Sequence, residues 1–151
     1  MRVSAKADYA IRALVELAAA SPGPVKGERV AEAQGIPIRF LENILLDLRK
    51  AGLVASQRGS DGGYWLARPA RDVTLAEVIR AVDGPLASVR GSRAEELAYA
   101  GRSAPLQEVW VAVRASLRRV LESVTLADVA SGDLPDVVGA LTADADAWQP
   151  H

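Results

Sequence analysis

The chain has 151 residues, of which 50% are hydrophobic, 25% are charged and 5% are aromatic. This length fits one domain with a sizeable core, or one small domain with an extension. The sequence contains no cysteine and a single histidine. Disulfide scaffolds, thiolate nucleophiles and thiolate-held metal sites are therefore excluded, and histidine-based catalysis is almost excluded. No apolar run approaches the ~18 residues of a membrane span, and the charged N-terminal segment is typical of a first helix rather than a signal peptide.

The near-neutral total of 18 basic and 19 acidic residues hides an uneven distribution. Residues 1–70 hold ten basic and seven acidic residues, a net charge of +3, and residues 71–151 hold eight and twelve, a net charge of −4. A basic half beside an acidic half is typical of a polyanion-binding module joined to a second unit. Ordinary variation of surface charge explains the same difference, so charge alone leaves both interpretations open.

Apolar residues recur at helical spacing in three segments of the first third of the chain. The first predicted helix covers residues 4–20 and ends at the Ser-Pro-Gly-Pro run 21–24. A short helix over 27–34 ends at Gly35, and the third helix covers 36–52. The predicted buried stripe of the third helix consists of Phe40, Leu41, Ile44, Leu45 and Leu48.

Two short apolar runs, 53–55 and 64–66, flank a glycine-rich loop and predict a β-hairpin. Thr74 follows, with Glu77 three positions later, so this pair predicts a capping box at the start of a helix that ends at Gly84. The residues expected to be buried on that helix are Leu75, Val78, Ile79 and Val82.

Residues 84–104 are rich in glycine, alanine and serine, and predict a loop with one helical turn near 94–99. Pro105 opens the longest predicted helix, which runs to about residue 124. Large apolar residues follow one another on it at separations of 4, 3, 4, 3 and 4, which is the spacing of a coiled-coil seam. The predicted seam consists of Leu106, Trp110, Val113, Leu117, Val120 and Val124.

A second capping pair, Thr125 with Asp128, predicts a short last helix. Beyond it the sequence predicts no further element and a frayed end.

The order of these elements is that of a winged helix-turn-helix. The predicted fold class is therefore mostly α with a small β-hairpin, extended by a long C-terminal helix. Residues 35–68 closely resemble the winged-helix regulator family that includes IscR, NsrR and CymR. The shared features are Gly35-Ile36-Pro37, Leu41-Glu42, Leu48, Lys50-Ala51-Gly52-Leu53-Val54, Arg58-Gly59, Gly62-Gly63-Tyr64 and Leu66-Ala67-Arg68, together with VTLAEVIRAVDG at 73–84 and the opening MRVSAKADYAIRAL.

The resemblance implies a dimeric bacterial transcription factor on a pseudo-palindromic operator, with one winged helix on each half-site. The long helix then packs against its copy in the partner. The expected organisation is a DNA-binding winged helix-turn-helix over 1–84 and a cysteine-free effector or cluster-type loop over 85–104. A dimerisation helix with a short terminal helix follows over 105–131, and a poorly ordered tail over 132–151.

Arg39, Glu42, Asn43 and Leu46 lie on the face of the third helix opposite the apolar stripe. In the major groove, arginine can bind guanine, asparagine can pair with adenine, and glutamate can accept a hydrogen bond from cytosine. The resemblance implies that Glu42 reads a base, with Arg39 and Asn43 beside it. A surface ion pair between Arg39 and Glu42 is the alternative.

Arg58, at the tip of the predicted hairpin, suits the minor groove, because a narrow groove has an enhanced negative potential. The alternative is a solvated arginine in a turn. Trp65 has the opposite strand parity to its neighbours and is expected to pack in the core or at an edge. Further candidates for phosphate contacts are Ser56, Gln57, Lys26 and Ser4.

Many members of the family hold an iron–sulfur cluster with three cysteines in the loop that corresponds to 84–104. The resemblance implies a remaining ligand that is an aspartate near the start of the first helix or a histidine that opens the long helix. Asp8 is present here, but Gln107 stands where the histidine would be. Because such clusters need thiolate ligands, we expect a regulator without metal or cofactor.

Three roles remain open for the loop over 84–104. It can bind a small-molecule effector, contact another protein, or serve as a plain linker. Its polar candidates are Arg90, Arg93, Glu95, Glu96, Tyr99 and Arg102, with Gln107 just beyond it.

The sequence as a whole predicts a cytoplasmic, nucleoid-associated repressor that binds double-stranded DNA as a homodimer and has no contact with a membrane. The alternative is a winged-helix adaptor that binds a protein and lacks specific DNA binding. An enzyme is not expected, because no paired carboxylates, metal-ligand spacing or activated nucleophile stand out.

Overall fold

The structure is a computed structural model that describes residues 2–150. Seven α-helices and one two-stranded hairpin are formed by this part of the chain, with short 3₁₀ turns at 70–72, 94–96, 101–103 and 145–148. None of these helices combines the length and apolar character needed to cross a bilayer. The elements are α1 (Ala5–Ala19), α2 (Gly27–Gln34), α3 (Ile38–Lys50), β1 (Val54–Gln57), β2 (Gly63–Leu66), α4 (Leu75–Asp83), α5 (Leu106–Leu121), α6 (Leu126–Ser131) and α7 (Asp136–Thr142).

Helices α1, α2 and α3 pack around a core of aliphatic side chains, as their spacing predicted. Leu14, Leu41 and Leu48 are fully buried there. Gly35 ends α2 in the left-handed conformation (φ 62°), which a glycine adopts without steric cost. The predicted stripe of α3 is wrong at Phe40, which is 41% exposed and meets Tyr9 edge-on at 5.7 Å between ring centroids.

The hairpin is antiparallel, with Val54 opposite Leu66 and Gln57 opposite Gly63. Val25, from the loop before α2, forms two backbone hydrogen bonds with Tyr64, of 2.8 and 2.9 Å. These bonds fasten the wing to the helical body. A side chain at Gly63 would bring its Cβ to 2.6 Å from the Val25 carbonyl oxygen, so this close approach requires glycine.

The two predicted capping pairs differ in outcome. Thr125 and Asp128 form the complete box, in which each side chain accepts a hydrogen bond from the other residue's backbone N–H. Thr74 accepts from the Glu77 N–H at 3.2 Å, but the Glu77 carboxylate pairs instead with Arg68 at 2.5 Å. The second half of that box is replaced because the Arg68 guanidinium offers a charged donor, and this ion pair raises the pKa of Arg68.

The chain returns to the winged-helix body after α5. Leu126 on α6 is fully buried in the same core as α1, and its N–H donates to the Val73 carbonyl at 3.0 Å. Val124, which the seam included, lies beyond the end of α5 and is buried within its own chain. The seam prediction is wrong at this residue, because Val124 also accepts the Leu75 N–H through its carbonyl and belongs to the turn that leads into α6.

Helix α5 and the tail differ from the rest of the fold in their exposure. No residue of α5 or α7 is buried in the single chain. The loop before α5 packs through Leu86, Ala94 and Leu97, and contains the expected helical turn, at 94–96. The segment expected to be a poorly ordered tail contains α7 and a terminal 3₁₀ turn, in which Trp148 donates to the Thr142 carbonyl.

Candidate nucleic-acid interface

The outward face of α3 carries three polar side chains with no partner in their own chain. Arg39, Glu42 and Asn43 are all exposed. Within residues 2–150, none of their side chains forms a hydrogen bond or an ion pair. The surface ion pair between Arg39 and Glu42, the alternative considered above, is therefore not formed. These three groups are available to a ligand.

The tip of the wing presents a second free cation. Arg58 is exposed, and no hydrogen-bond or ion-pair partner of its side chain is found between residues 2 and 150. Gln57 beside it is also exposed. The Lys26 ammonium donates to the Gly59 carbonyl at 2.5 Å, so it supports the turn that carries Arg58. Lys26 thus has a role in the wing that the sequence pattern did not indicate.

A shallow cleft separates α3 from the wing. Glu42, Leu46, Arg49 and Tyr64 line it together with Leu45, around a volume of about 210 Å³. The Arg49 guanidinium donates to the Ser56 hydroxyl at 3.1 Å across the same gap. This bond holds the first strand of the wing beside the exposed face of α3. The helix and the wing therefore lie side by side, and Arg49 joins them across the cleft.

Ser4 lies at the start of α1, and its hydroxyl already forms two hydrogen bonds within the chain. Its hydroxyl accepts the Ala7 N–H at 2.9 Å, as an N-cap does, and donates to the Asp83 carboxylate at 2.5 Å. These bonds tie α1 to the end of α4. A phosphate contact from Ser4 would have to replace or share the bond to Asp83.

Lys6 makes a connection that sequence reasoning missed. Its ammonium lies 2.8 Å from the Asp47 carboxylate on α3 and donates to the Val82 carbonyl on α4 at 3.1 Å. The hydrogen bond and charge of Lys6 lower the pKa of Asp47. One side chain on α1 thus links the helix with the exposed polar face to α4. No sequence signal pairs these residues, because they are far apart in the chain.

The side chains of the predicted seam on α5 face two different directions. The Trp110 indole N–H donates to the Tyr99 hydroxyl at 2.9 Å, so this ring faces the loop of its own chain. Leu106 and Val109 remain 38% and 49% exposed. Val109 was not in the predicted seam, although Leu106, Val109, Val113 and Val120 also follow helical spacing. The apolar stripe available to a partner, called here the open stripe of α5, consists of Leu106, Val109, Val113 and Val120.

The other candidates in the loop have separate partners. The Arg90 guanidinium lies 5.5 Å from the centroid of the Tyr99 ring, a cation–π arrangement. The Gln107 amide donates to the Glu95 carbonyl at 3.0 Å. Arg93 lines a pocket between the loop, α4 and α5. The four candidates therefore do not converge on one site.

The donor set does not fit an iron–sulfur cluster. The sequence has no cysteine to supply a thiolate, and Asp8 pairs with Arg12 at 3.1 Å. Gln107, at the position that resembles the histidine, already donates through its amide. Among residues 2–150, no three histidine, cysteine, aspartate or glutamate side chains are grouped closely enough to hold a metal. Cluster ligation needs thiolate charge that these residues lack.

Comparison with known proteins agrees with this geometry. Residues 3–132 match the model of a family described as Rrf2, iron-dependent transcriptional regulator. Rv1287 of Mycobacterium tuberculosis, whose name describes an HTH-type transcriptional regulator, is 54% identical over 145 residues, which cover 95% of this chain and 90% of Rv1287.

Two solved structures share the fold. CymR, the global cysteine regulator of B. subtilis, matches with a TM-score of 0.74 and 32% identity, over 87% of this chain and 97% of CymR. T. potens IscR matches with a TM-score of 0.71 and 37% identity, over 87% of this chain and 88% of IscR. The chain belongs to the Rrf2 family and is a DNA-binding transcriptional regulator with a winged helix-turn-helix.

Proposed function

We propose that this protein is a sequence-specific repressor that binds a pseudo-palindromic operator as a homodimer and works without an iron–sulfur cluster. One observation carries the proposal. Three unpartnered polar side chains on α3 lie beside a wing that presents the unpartnered Arg58. A surface of this kind has the hydrogen-bonding groups of a base reader and the charge of a backbone contact.

The chemistry of α3 suits direct reading of bases. Arg39 can donate two hydrogen bonds to guanine, Asn43 can pair with adenine, and Glu42 can accept from the cytosine amino group. All three lie in the first half of α3, the part that enters the major groove in this motif. Arg58 would then lie in or above the neighbouring minor groove, with Ser56, Gln57 and Lys26 near the phosphates.

The proposed dimer depends on the open stripe of α5. A helix that buries no residue in its own chain leaves apolar area that a second copy can cover. Pairing two copies along this stripe would present two winged helices to one face of a duplex. Half-sites in such complexes lie about 34–36 Å apart, one turn of DNA.

Regulation is proposed to be independent of a cluster, since the chain supplies no thiolate. We further propose that the protein is no enzyme and that it resides with the nucleoid in the cytoplasm. We propose that regulation comes from a small-molecule effector that contacts the loop over 85–104. The adaptor alternative has no support from the relatives, which are named as transcriptional regulators.

Binding to an operator selected from random duplexes tests the proposal. We expect Arg58→Ala to lower affinity about tenfold to a hundredfold, because a charged hydrogen bond contributes about 1.5–3 kcal/mol. The negative slope of log affinity against log salt concentration should become shallower by about one if Arg58 contacts a phosphate. Glu42→Ala should instead change which base is preferred, by about 1–3 kcal/mol.

The matched control is Arg102→Ala, which removes an exposed arginine in the 3₁₀ turn before α5, outside α3 and the wing. Its affinity and salt slope should equal those of the wild type. Equal losses in Arg58→Ala and Arg102→Ala would show that only total charge matters. Failure of the wild type to bind any duplex would favour the adaptor.

A further inference from the structure

A concave pocket lined by four arginines lies between α4, the loop that follows it, and α5. Arg80 comes from α4, Arg93 from the loop, and Arg114 and Arg118 from α5. Its volume is about 370 Å³, and Glu95, Gly84, Pro85 and Leu86 complete the lining. Of the four arginines, the sequence pattern indicated Arg93 alone, because helical spacing does not show which residues of α4 and α5 meet.

The charges in this pocket do not balance. Arg80 and Arg118 both donate to one oxygen of Glu122, at 2.5 and 2.9 Å. Arg114 pairs with Glu95, whereas Arg93 forms no ion pair within residues 2–150. The carboxylates near these four guanidinium groups are Glu95, Glu122 and Glu96, the last of which accepts the Arg93 backbone N–H at 3.2 Å, so positive charge remains in excess. The hydrogen bonds from Arg118 and Arg80 lower the pKa of Glu122, so both arginines already share an ionised acceptor at neutral pH.

We propose that this pocket binds a small dianion, one that carries a phosphate group or two carboxylates. Such a ligand would supply an anionic partner to Arg93, which has no ion pair within residues 2–150, and could share the donors of the other three arginines. Guanidinium groups are suited to this role because they donate two parallel hydrogen bonds to carboxylate or phosphate oxygens. Arg114 is well positioned to strengthen such bonds, since its side chain is only 23% exposed and less screened by water.

The position of the pocket couples its occupant to the rest of the molecule. Arg80 belongs to α4, which packs on both α1 and α3, while Arg114 and Arg118 belong to α5. An anion held by both sets would fix α5 relative to the helix that carries the base-reading groups. This regulatory consequence rests on the proposed function, whereas binding of the anion does not.

Titration calorimetry on the full chain tests binding. Inorganic phosphate and succinate are the probes, and chloride at equal ionic strength is the reference. We expect saturable binding of one dianion per chain for at least one probe, and none for chloride. Comparison of phosphate with succinate identifies the preferred anionic group. No saturable binding of either probe overturns the proposal.

Two substitutions with opposite expected effects separate binding from a structural role. Arg93→Gln should weaken dianion binding about tenfold or more, because one charged donor is lost. Glu122→Gln should tighten it several-fold, because a competing negative charge is removed. Arg119→Gln, on α5 but outside the lining, is the matched control and should bind as the wild type does. Effects of the same sign in Arg93→Gln and Glu122→Gln, or no effect in either, contradict the proposal.

Operator binding with and without the tighter probe tests the regulatory consequence. We expect the probe to change operator affinity at least about threefold in the wild type and to leave Arg93→Gln unchanged. Operator binding that ignores a bound probe overturns the regulatory consequence alone. If the wild type binds the probe but no duplex, the proposed function fails while the anion site stands.

Discussion

The winged-helix body and α5 use apolar side chains in opposite ways. In the body, leucines of α1 and α3 are fully buried against their own chain, and the return segment adds Leu126 to the same core. In α5, 16 residues form a helix without one buried residue. The body therefore contains its own stabilising contacts, while the apolar stripe of α5 is only partly covered by its own chain. Folding therefore depends on the first region, whereas the second leaves apolar area exposed.

The largest expected effect comes from a cavity in the body. Leu14→Ala removes a fully buried side chain and should lower the free energy of unfolding by about 2–5 kcal/mol. Denaturant titration measures this loss. The control Leu141→Ala, at a leucine that is 56% exposed on α7, should change it by less than about 0.5 kcal/mol. Similar losses in both variants would remove the distinction between the regions.

A charge on α5 should act on assembly instead. Val109→Glu places a carboxylate on the open stripe, where pairing with a second copy would have to remove it from water. We expect the dissociation constant of the dimer to rise about tenfold to a hundredfold, measured by sedimentation velocity across protein concentrations. Ala115→Glu adds the same charge on another side of α5 and should leave the dimer intact. A dimer equally stable in both variants would place the interface elsewhere.

The capping box of α6 tests whether the return segment belongs to the body. Thr125→Ala removes the acceptor of the Asp128 N–H and should cost about 1 kcal/mol of unfolding free energy. This cost should not vary with protein concentration, because the contacts of α6 lie within one chain. Thr142→Ala, at the exposed end of α7, is the control and should cost less. A loss seen only at low concentration would assign α6 to the dimer.

The smallest effect concerns acid stability. Lys6 lowers the pKa of Asp47 in the folded state, so this carboxylate binds its proton less readily there than in the unfolded chain. The ion pair stabilises the fold above the pKa of the unfolded chain, about 4, and this stabilisation is lost as the pH falls through the lower folded value. Asp47→Asn should thus be less stable than the wild type at pH 7, and the difference should shrink below about pH 4.

Denaturant titrations between pH 2 and pH 7 measure this convergence. Lys6→Gln removes the other member of this ion pair and should show the same convergence with the wild type. A constant gap between Asp47→Asn and the wild type would contradict the role of the Lys6 pair.

Local pattern predicted most of the fold. The spacing of Leu41, Ile44 and Leu48, the glycine at 35 and the capping pair at 125–128 all led to elements that the structure contains. The free face of α3 and the wing followed as well, since a helix that buries one stripe must expose the other. Phe40 was misplaced because it lies at the border of that stripe, where spacing does not separate buried from half-exposed.

The sequence alone determined the helices, the hairpin, the family resemblance and the absence of thiolate ligands, because each depends on residue type or on neighbours a few positions away. Only the tertiary structure decided that Val124 lies in the body, that Lys6 reaches Asp47, and that four arginines face one pocket. These contacts join segments far apart in the chain. Their partners are set by how helices pack in three dimensions, which no local period records.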